Sequence, residues 1–225
     1  LWQSRRGDIY ARALQSLRDQ LRVYACGCSR RDIELAWEAT GQVRMRHGEL
    51  VYPGTCRHGL KGKQPRAWRL RCTNDDDSDL LIDWFDRRLG AQTQNVTQSI
   101  GDIVLQRTDG LWAYQMAVVV DDADQGVTHV VRGGDMTEST PRQIHLQRAL
   151  GVATPHHLHT PVVMAADGEK LSKQNGAAAI DVSQPLAALR EAGAVLGVNA
   201  SGTTVADWLA SAVQAWAALY PPTSR

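Results

Sequence analysis

Apolar residues recur at helical spacing near the start of the chain. Tyr10, Leu14, Leu17 and Leu21 fall on one face of an otherwise polar stretch, which predicts an amphipathic helix over 8–21. Residues 23–72 lose that regularity. They are rich in Cys, Gly, Arg and His, with one helical piece near 30–39. Residues 80–107 read as short strands, Ile100 to Gln106 among them, and Asp109-Gly110 is a hairpin turn signal. Leu111 to Val120 then reads as a strand whose second half is apolar on both faces, as in a buried sheet. Val127 to Val131 adds a short β-branched strand. The next helix is clearly punctuated: Thr140 suits the N-cap, Pro141 the first helical position and Gly151 the position just past the end. Pro155 to Val163 reads as loop then strand, and 183–219 as two helices broken at Gly197 to Gly202. No internal repeat or low-complexity segment interrupts this mixed α/β pattern.

Composition narrows the class. The 225 residues suffice for one large domain or two modest ones, and 43% hydrophobic content builds a sizeable core. A net charge of +1 does not announce a nucleic-acid binder. Arg57, His58, Lys61, Lys63, Arg66, Arg69 and Arg71 are nevertheless clustered, either as a tRNA-contacting strip or as a solvated loop face. Asp75, Asp76, Asp77 and Asp79 read as an exposed acidic turn. No apolar stretch approaches a membrane span, and no signal peptide is recognisable. The expectation is a cytoplasmic protein without membrane partners, whose cysteines are thiols or metal ligands. The chain opens Leu1-Trp2-Gln3 without Met, and so reads as part of a longer protein.

The candidate chemistry centres on Lys170-Leu171-Ser172-Lys173-Gln174. Two lysines on a loop flanked by Gly168 and Gly176 suit a mobile element that meets phosphates as charge redistributes in a transition state. Upstream stand the apolar run Ala117 to Val120, then Asp121-Asp122, then Gly126-Val127-Thr128-His129-Val130-Val131-Arg132-Gly133-Gly134-Asp135. This order of parts resembles the glutamate branch of the class I aminoacyl-tRNA synthetases, whose loop signature is written K-M-S-K-S. Gln3 to Tyr10 is similar to the stretch before that family's zinc insert. The resemblance runs from Gln3 to about Trp216.

The resemblance implies a Rossmann-type catalytic domain, ATP with Mg2+ and L-glutamate as substrates, and a tRNA acceptor. It places Tyr114 and Arg132 on the amino acid, where a guanidinium matches a carboxylate bidentately. It places Lys173 on the ATP phosphates, with Lys170 and Ser172 as supporting catalytic residues and backbone around Val162 and Val163 at the adenine. The cysteines admit a tetrahedral zinc site. Cys26, Cys28 and Cys56 supply three ligands, and Tyr52, His58 and His47 are candidates for the fourth. The family's Cys-x-Cys then Tyr-x-x-x-Cys pattern favours Tyr52, while His58 is the commoner zinc chemistry. Such a zinc is structural, since four protein ligands leave no open position. His156, His157 and His159 read as structural, with no Cys or carboxylate nearby in the sequence to complete a metal site.

About fifty residues follow Gln174, where glutamyl-tRNA synthetases continue into a large helical anticodon-binding region. In this, and in the Gln174-Asn175 that follows Lys173, the chain resembles a truncated branch of the family, the glutamyl-queuosine tRNA(Asp) synthetases. That branch implies transfer of glutamate to the queuosine base in the anticodon loop of tRNA(Asp), a ligase-type tRNA modification. A fragment of a conventional or discriminating glutamyl-tRNA synthetase, and a non-catalytic zinc-stabilised tRNA-binding module, are the alternatives. The family's H-I-G-H-like segment and the acidic residue gripping the substrate amino group are not found in these residues, so the chain alone is expected to be inactive. The expected organisation is 1–22 catalytic, 23–72 a zinc-binding insert, 73–176 catalytic α/β with the lysine loop, and 177–225 a helical region.

Overall fold

The computed structural model describes residues 1–39, 51–165, 168–172, 177 and 179–221. Helix α1 spans Gly7–Asp19 and buries Tyr10, Leu14 and Leu17, three members of the predicted stripe. Leu21 does not join them. It lies beyond the helix with φ +58 and 83% exposure, as the chain turns into strand β1, Val23–Cys26. Helix α2, Arg30–Glu38, starts at a reciprocal capping box, in which the Ser29 hydroxyl accepts the Asp32 N–H and the Asp32 carboxylate accepts the Ser29 N–H. Strand β2, Ala67–Leu70, follows, then β3, Leu81–Asp86, β4, Gly90–Asn95, and a single turn of helix α3, Val96–Ser99. Strand β5 is Ile103–Gln106, shorter than predicted, because Ile100 is the C-cap of α3.

The predicted strand over Leu111 to Val120 is instead helix α4, Tyr114–Asp124. Only Trp112 keeps strand character, in an isolated bridge to Gln106. An apolar run covered on all sides serves a buried helix as well as a buried strand, and periodicity alone does not separate them. Here Met116, Ala117, Val119 and Asp121 are buried, with α1 and α5 packed against α4. Strand β6, His129–Gly133, lies two residues later than expected. Helix α5, Ser139–Leu150, ends as predicted on Gly151, in the left-handed region at φ +69. Its start shifts by two residues: Glu138 occupies the N-cap, Thr140 is buried inside the helix and Pro141 is its third residue. Strand β7 is His156–Thr160, followed by α6, Pro185–Leu196, and α7, Val205–Leu219, on either side of the predicted break.

The strands form an antiparallel sheet in the order β1-β2-β5 and a second sheet in the order β4-β3-β7-β6, with β3 and β7 parallel. The chain divides into two compact units. The first is Leu1–Phe85, Ala91–Val130 and Glu138–His156; the second is Asp86–Gly90, Val131–Thr137 and His157–Arg225. The first unit holds the main core, in which Tyr10, Leu17, Leu70, Ile82, Leu105, Met116 and Leu146 are at most 1% exposed. In the second, Trp208 of α7 packs on Gly193 of α6, where an added Cβ would sit 2.7 Å from the indole ring.

Candidate functional site

A buried sulfur cluster stands at the end of β1 in the first unit. The sulfurs of Cys26, Cys28 and Cys56 all lie within 4.8 Å of one another. Cys28 Sγ is 3.5 Å from Cys56 Sγ, close to the roughly 3.8 Å edge of a tetrahedron with zinc–sulfur bonds of about 2.3 Å. Tyr52 closes the group. Its Oη lies 3.3 Å from Cys26 Sγ and 3.6 Å from Cys28 Sγ, and accepts the Cys56 N–H at 3.0 Å. His58 is elsewhere, 72% exposed with its ring 3.9 Å from Asp77. His47 lies outside the described residues. Of the two described candidates for the fourth position, the structure therefore brings only Tyr52 to the cysteines. Burial pushes the Cys28 thiol up to about 11, so a cation is what would hold that sulfur as a thiolate, whereas at Cys56 burial is outweighed by hydrogen bonds from the Gly27 backbone and Tyr52, and the thiol is lowered. The donor set thus fits a structural zinc.

The sulfur cluster is braced by a carboxylate absent from the sequence-level expectations. Asp102, 1% exposed, accepts hydrogen bonds from Arg57 Nε at 3.0 Å and Nη2 at 2.9 Å, from the Cys72 N–H at 2.7 Å, and from the Tyr24 hydroxyl. Arg69 donates to the Asp102 carbonyl at 2.7 Å and lies 3.8 Å over the Tyr52 ring. The basic cluster is therefore not one solvated face. Arg57 and Arg69 turn inward, Lys63 pairs with Asp32, and Lys61 and Arg66 remain exposed. Asp102→Ala strands a buried guanidinium and should cost on the order of 3–5 kcal/mol of stability, measured by chemical denaturation. Removal of exposed Arg66 should change it by less than about 0.5 kcal/mol.

Tyr114 is the first residue of α4, half exposed, and lines a cavity of about 770 Å³ in the first unit. Arg30 and Glu34 of α2, Tyr52, Arg69, Gln115 and Arg142 also line it. Gln115 is fixed there, accepting from Gln143 Nε2 at 2.8 Å.

The second unit carries the other predicted groups. Arg132 sits on β6, and its Nε donates to His159 Nε2 on β7 at 3.0 Å. The His159 Nδ1 faces Asp86 Oδ2 at 2.7 Å, at the end of β3, and both side chains are fully buried. A carboxylate does therefore meet this histidine, although it is distant in sequence. Burial lowers the His159 pKa and the Arg132 charge lowers it further, against the Asp86 hydrogen bond that raises it. The Lys170 ammonium is 2.5 Å from Asp135 Oδ2, and that contact, helped by the Arg132 charge, holds the Asp135 carboxyl below its usual range. The loop is entered through a tight hairpin in which the Leu171 N–H reaches the Val163 carbonyl at 2.8 Å. Val162 and Val163 follow β7 rather than continuing it, and Val163 is 47% exposed. Ser172 accepts the Ala177 N–H through its carbonyl at 3.1 Å. Lys173 lies outside the described residues. Lys170 is thus paired with Asp135, three residues after Arg132, whereas Tyr114 belongs to the other unit.

Three comparisons bear on this arrangement. The family described as tRNA synthetases class I (E and Q), catalytic domain, matches residues 1–194. The glutamyl-Q tRNA(Asp) synthetase of Cupriavidus metallidurans is 55% identical over 216 residues, covering 96% of this chain and 68% of that protein. The protein of the same name from Albidiferax ferrireducens is 52% identical, covering 96% of this chain and 75% of that one. Among solved structures, a glutamate-tRNA synthetase from Elizabethkingia anophelis superposes with a TM-score of 0.61 at 25% identity, covering 77% of this chain and 37% of that one.

Proposed function

This chain belongs to the class I tRNA synthetases for glutamate and glutamine, a family of ligases, and on that premise we propose that its protein activates L-glutamate with ATP and transfers it to the queuosine base of tRNA(Asp). The observation that carries the reading is Asp135. It stands in the turn after β6, three residues from Arg132, the candidate amino-acid cation, and pairs at 2.5 Å with Lys170, the first lysine of the candidate phosphate loop. A site that joins a carboxylate to an α-phosphate needs these two kinds of cation close together. The names and the 52–55% identity of the relatives support the acceptor.

In this reading Arg132 and Tyr114 bind glutamate. The glutamate α-carboxylate oxygen attacks the α-phosphorus of ATP and pyrophosphate departs, its charge met by Lys173, Lys170 and Ser172. Backbone at Val162 and Val163 meets the adenine, and Mg2+ accompanies the phosphates. A hydroxyl of the queuosine cyclopentene-diol then attacks the acyl carbonyl, AMP leaves, and an ester forms. Cys26, Cys28, Tyr52 and Cys56 would hold a structural zinc, which supplies stability to the insert rather than chemistry. No helix among the described residues is long and apolar enough to cross a membrane, and we place the protein in the cytoplasm, where its tRNA is.

Transfer to tRNA(Glu) is a second reading, favoured by the likeness to the Elizabethkingia glutamate-tRNA synthetase. ATP-dependent transfer of labelled glutamate by the full-length protein separates the two. Queuosine-containing tRNA(Asp) should be charged, and the same tRNA lacking queuosine and tRNA(Glu) should not. Charging of tRNA(Glu) alone would replace the first reading by the second, and charging of none would leave a binding module.

A further inference from the structure

We infer that Asp86 and His159 are positioning residues, a relay across three neighbouring strands that fixes the guanidinium of Arg132 for the substrate carboxylate. The inference rests on the reading of Arg132 as a glutamate-binding residue.

The strand order β3-β7-β6 places the three side chains side by side, with Asp86 at the end of β3, His159 on β7 and Arg132 on β6. Their protons have one consistent arrangement. An arginine Nε–H is always a donor, so His159 Nε2, 3.0 Å away, must present its lone pair. The ring proton is then on Nδ1, where it donates to Asp86 Oδ2 at 2.7 Å. Asp86 is held in turn. Its Oδ1 accepts the Arg88 and Leu89 N–H groups, each at 2.9 Å, and its Oδ2 also accepts the His159 N–H at 3.0 Å. The carboxylate cannot swing without breaking a turn, and the imidazole cannot rotate without losing the carboxylate.

A buried His–Asp pair also suggests a proton-transfer dyad. The geometry argues against that role. Both ring nitrogens are engaged, and the partner of Nε2 is a guanidinium that does not give up its proton. What the relay does is orient. Anchoring Nε fixes the plane of a long side chain and with it the direction of the Nη1/Nη2 edge, which two parallel hydrogen bonds to a carboxylate require. The Arg132 backbone is held as well, its carbonyl accepting the Thr160 hydroxyl at 3.3 Å. An arginine ordered before binding saves the ligand the loss of that side chain's rotamer freedom, equivalent to about 10- to 30-fold in affinity.

The test uses the full-length protein and two substitutions of comparable burial. His159→Asn keeps a donor toward Asp86 and removes the acceptor for Arg132. His159→Gln places an amide oxygen where Nε2 was and restores that acceptor. We expect His159→Asn to raise KM for glutamate about 10- to 30-fold with KM for ATP unchanged, and His159→Gln to recover most of the loss. In an Arg132→Lys background, His159→Asn should lower kcat/KM for glutamate by less than about 2-fold further, since it acts through the arginine. Thermal midpoints of all variants serve as the fold control. Equal behaviour of the Asn and Gln variants, or full additivity with Arg132→Lys, would overturn the relay. If Arg132→Lys itself leaves glutamate kinetics intact, the reading of Arg132 fails instead.

Discussion

Arg132→Ala should lower kcat/KM for glutamate by about 10²- to 10³-fold, the kinetic equivalent of roughly 3–4 kcal/mol. The half-buried guanidinium is the group best matched to a substrate carboxylate in the second unit, and it is already held at Nε by His159. Truncation leaves the ligand's charge without its fork. Arg132→Lys keeps the charge but offers no Nε–H to His159 and no planar pair of donors, so it should recover little, within about 10-fold of alanine. KM for ATP should stay near its original value in both variants. Initial-rate kinetics with glutamate and ATP varied separately read this directly. An Arg132→Ala protein with unaltered glutamate kinetics would remove Arg132 from the site.

The second large effect concerns the sulfur cluster. Cys28→Ser combined with Cys56→Ser should abolish bound zinc, from about one ion per chain to none, and lower stability by several kcal/mol. Structural zinc is a folding term, because its ligands converge only in the folded chain. Cys28 and Cys56 lie on either side of α2, so losing the ion frees the segments that carry them from each other. Tyr52→Phe should weaken zinc at least about 10-fold in a chelator competition, and His58→Ala should leave it unchanged, since of these two described candidates only Tyr52 reaches the cysteines. Zinc content by atomic emission, with proteolysis of the insert, reports both outcomes. A zinc-free full-length protein as stable as the metal-loaded one would refute the assignment.

Much of the helical frame was legible because helices announce themselves locally. The stripe of Tyr10, Leu14 and Leu17, the Gly151 stop and the break at Gly197 each depend on neighbours a few residues away. Helix α4 was misread because the run Ala117 to Val120 is apolar on every side, and what decides helix against strand there is the packing of α1 and α5. The cysteine pattern pointed to its cluster, but the choice between Tyr52 and His58 needed the fold, which buries one and leaves the other in solvent. Asp102 and Asp86 left no comparable trace. Their partners Arg57 and His159 are 45 and 73 residues away, and an aspartate in a strand reads as a solvated position until the partner is seen. The one available signal, for Asp86, was its place on the same strand face as Ile82 and Trp84, where Asp83 alternates outward with Leu81 and Phe85. Arg57 and Arg69 show the same limit from the other side: counted as surface charge, they are internal hydrogen-bonding groups.

The location of the transferred glutamate on its tRNA tests the account most directly. Queuosine-containing tRNA(Asp) charged with labelled glutamate by the full-length protein is digested with a base-specific ribonuclease, and the fragments are separated under conditions that preserve the ester. The account predicts the label on the anticodon-loop fragment that carries queuosine. Label on the 3′-terminal fragment would contradict it and make this chain part of a conventional glutamyl-tRNA synthetase.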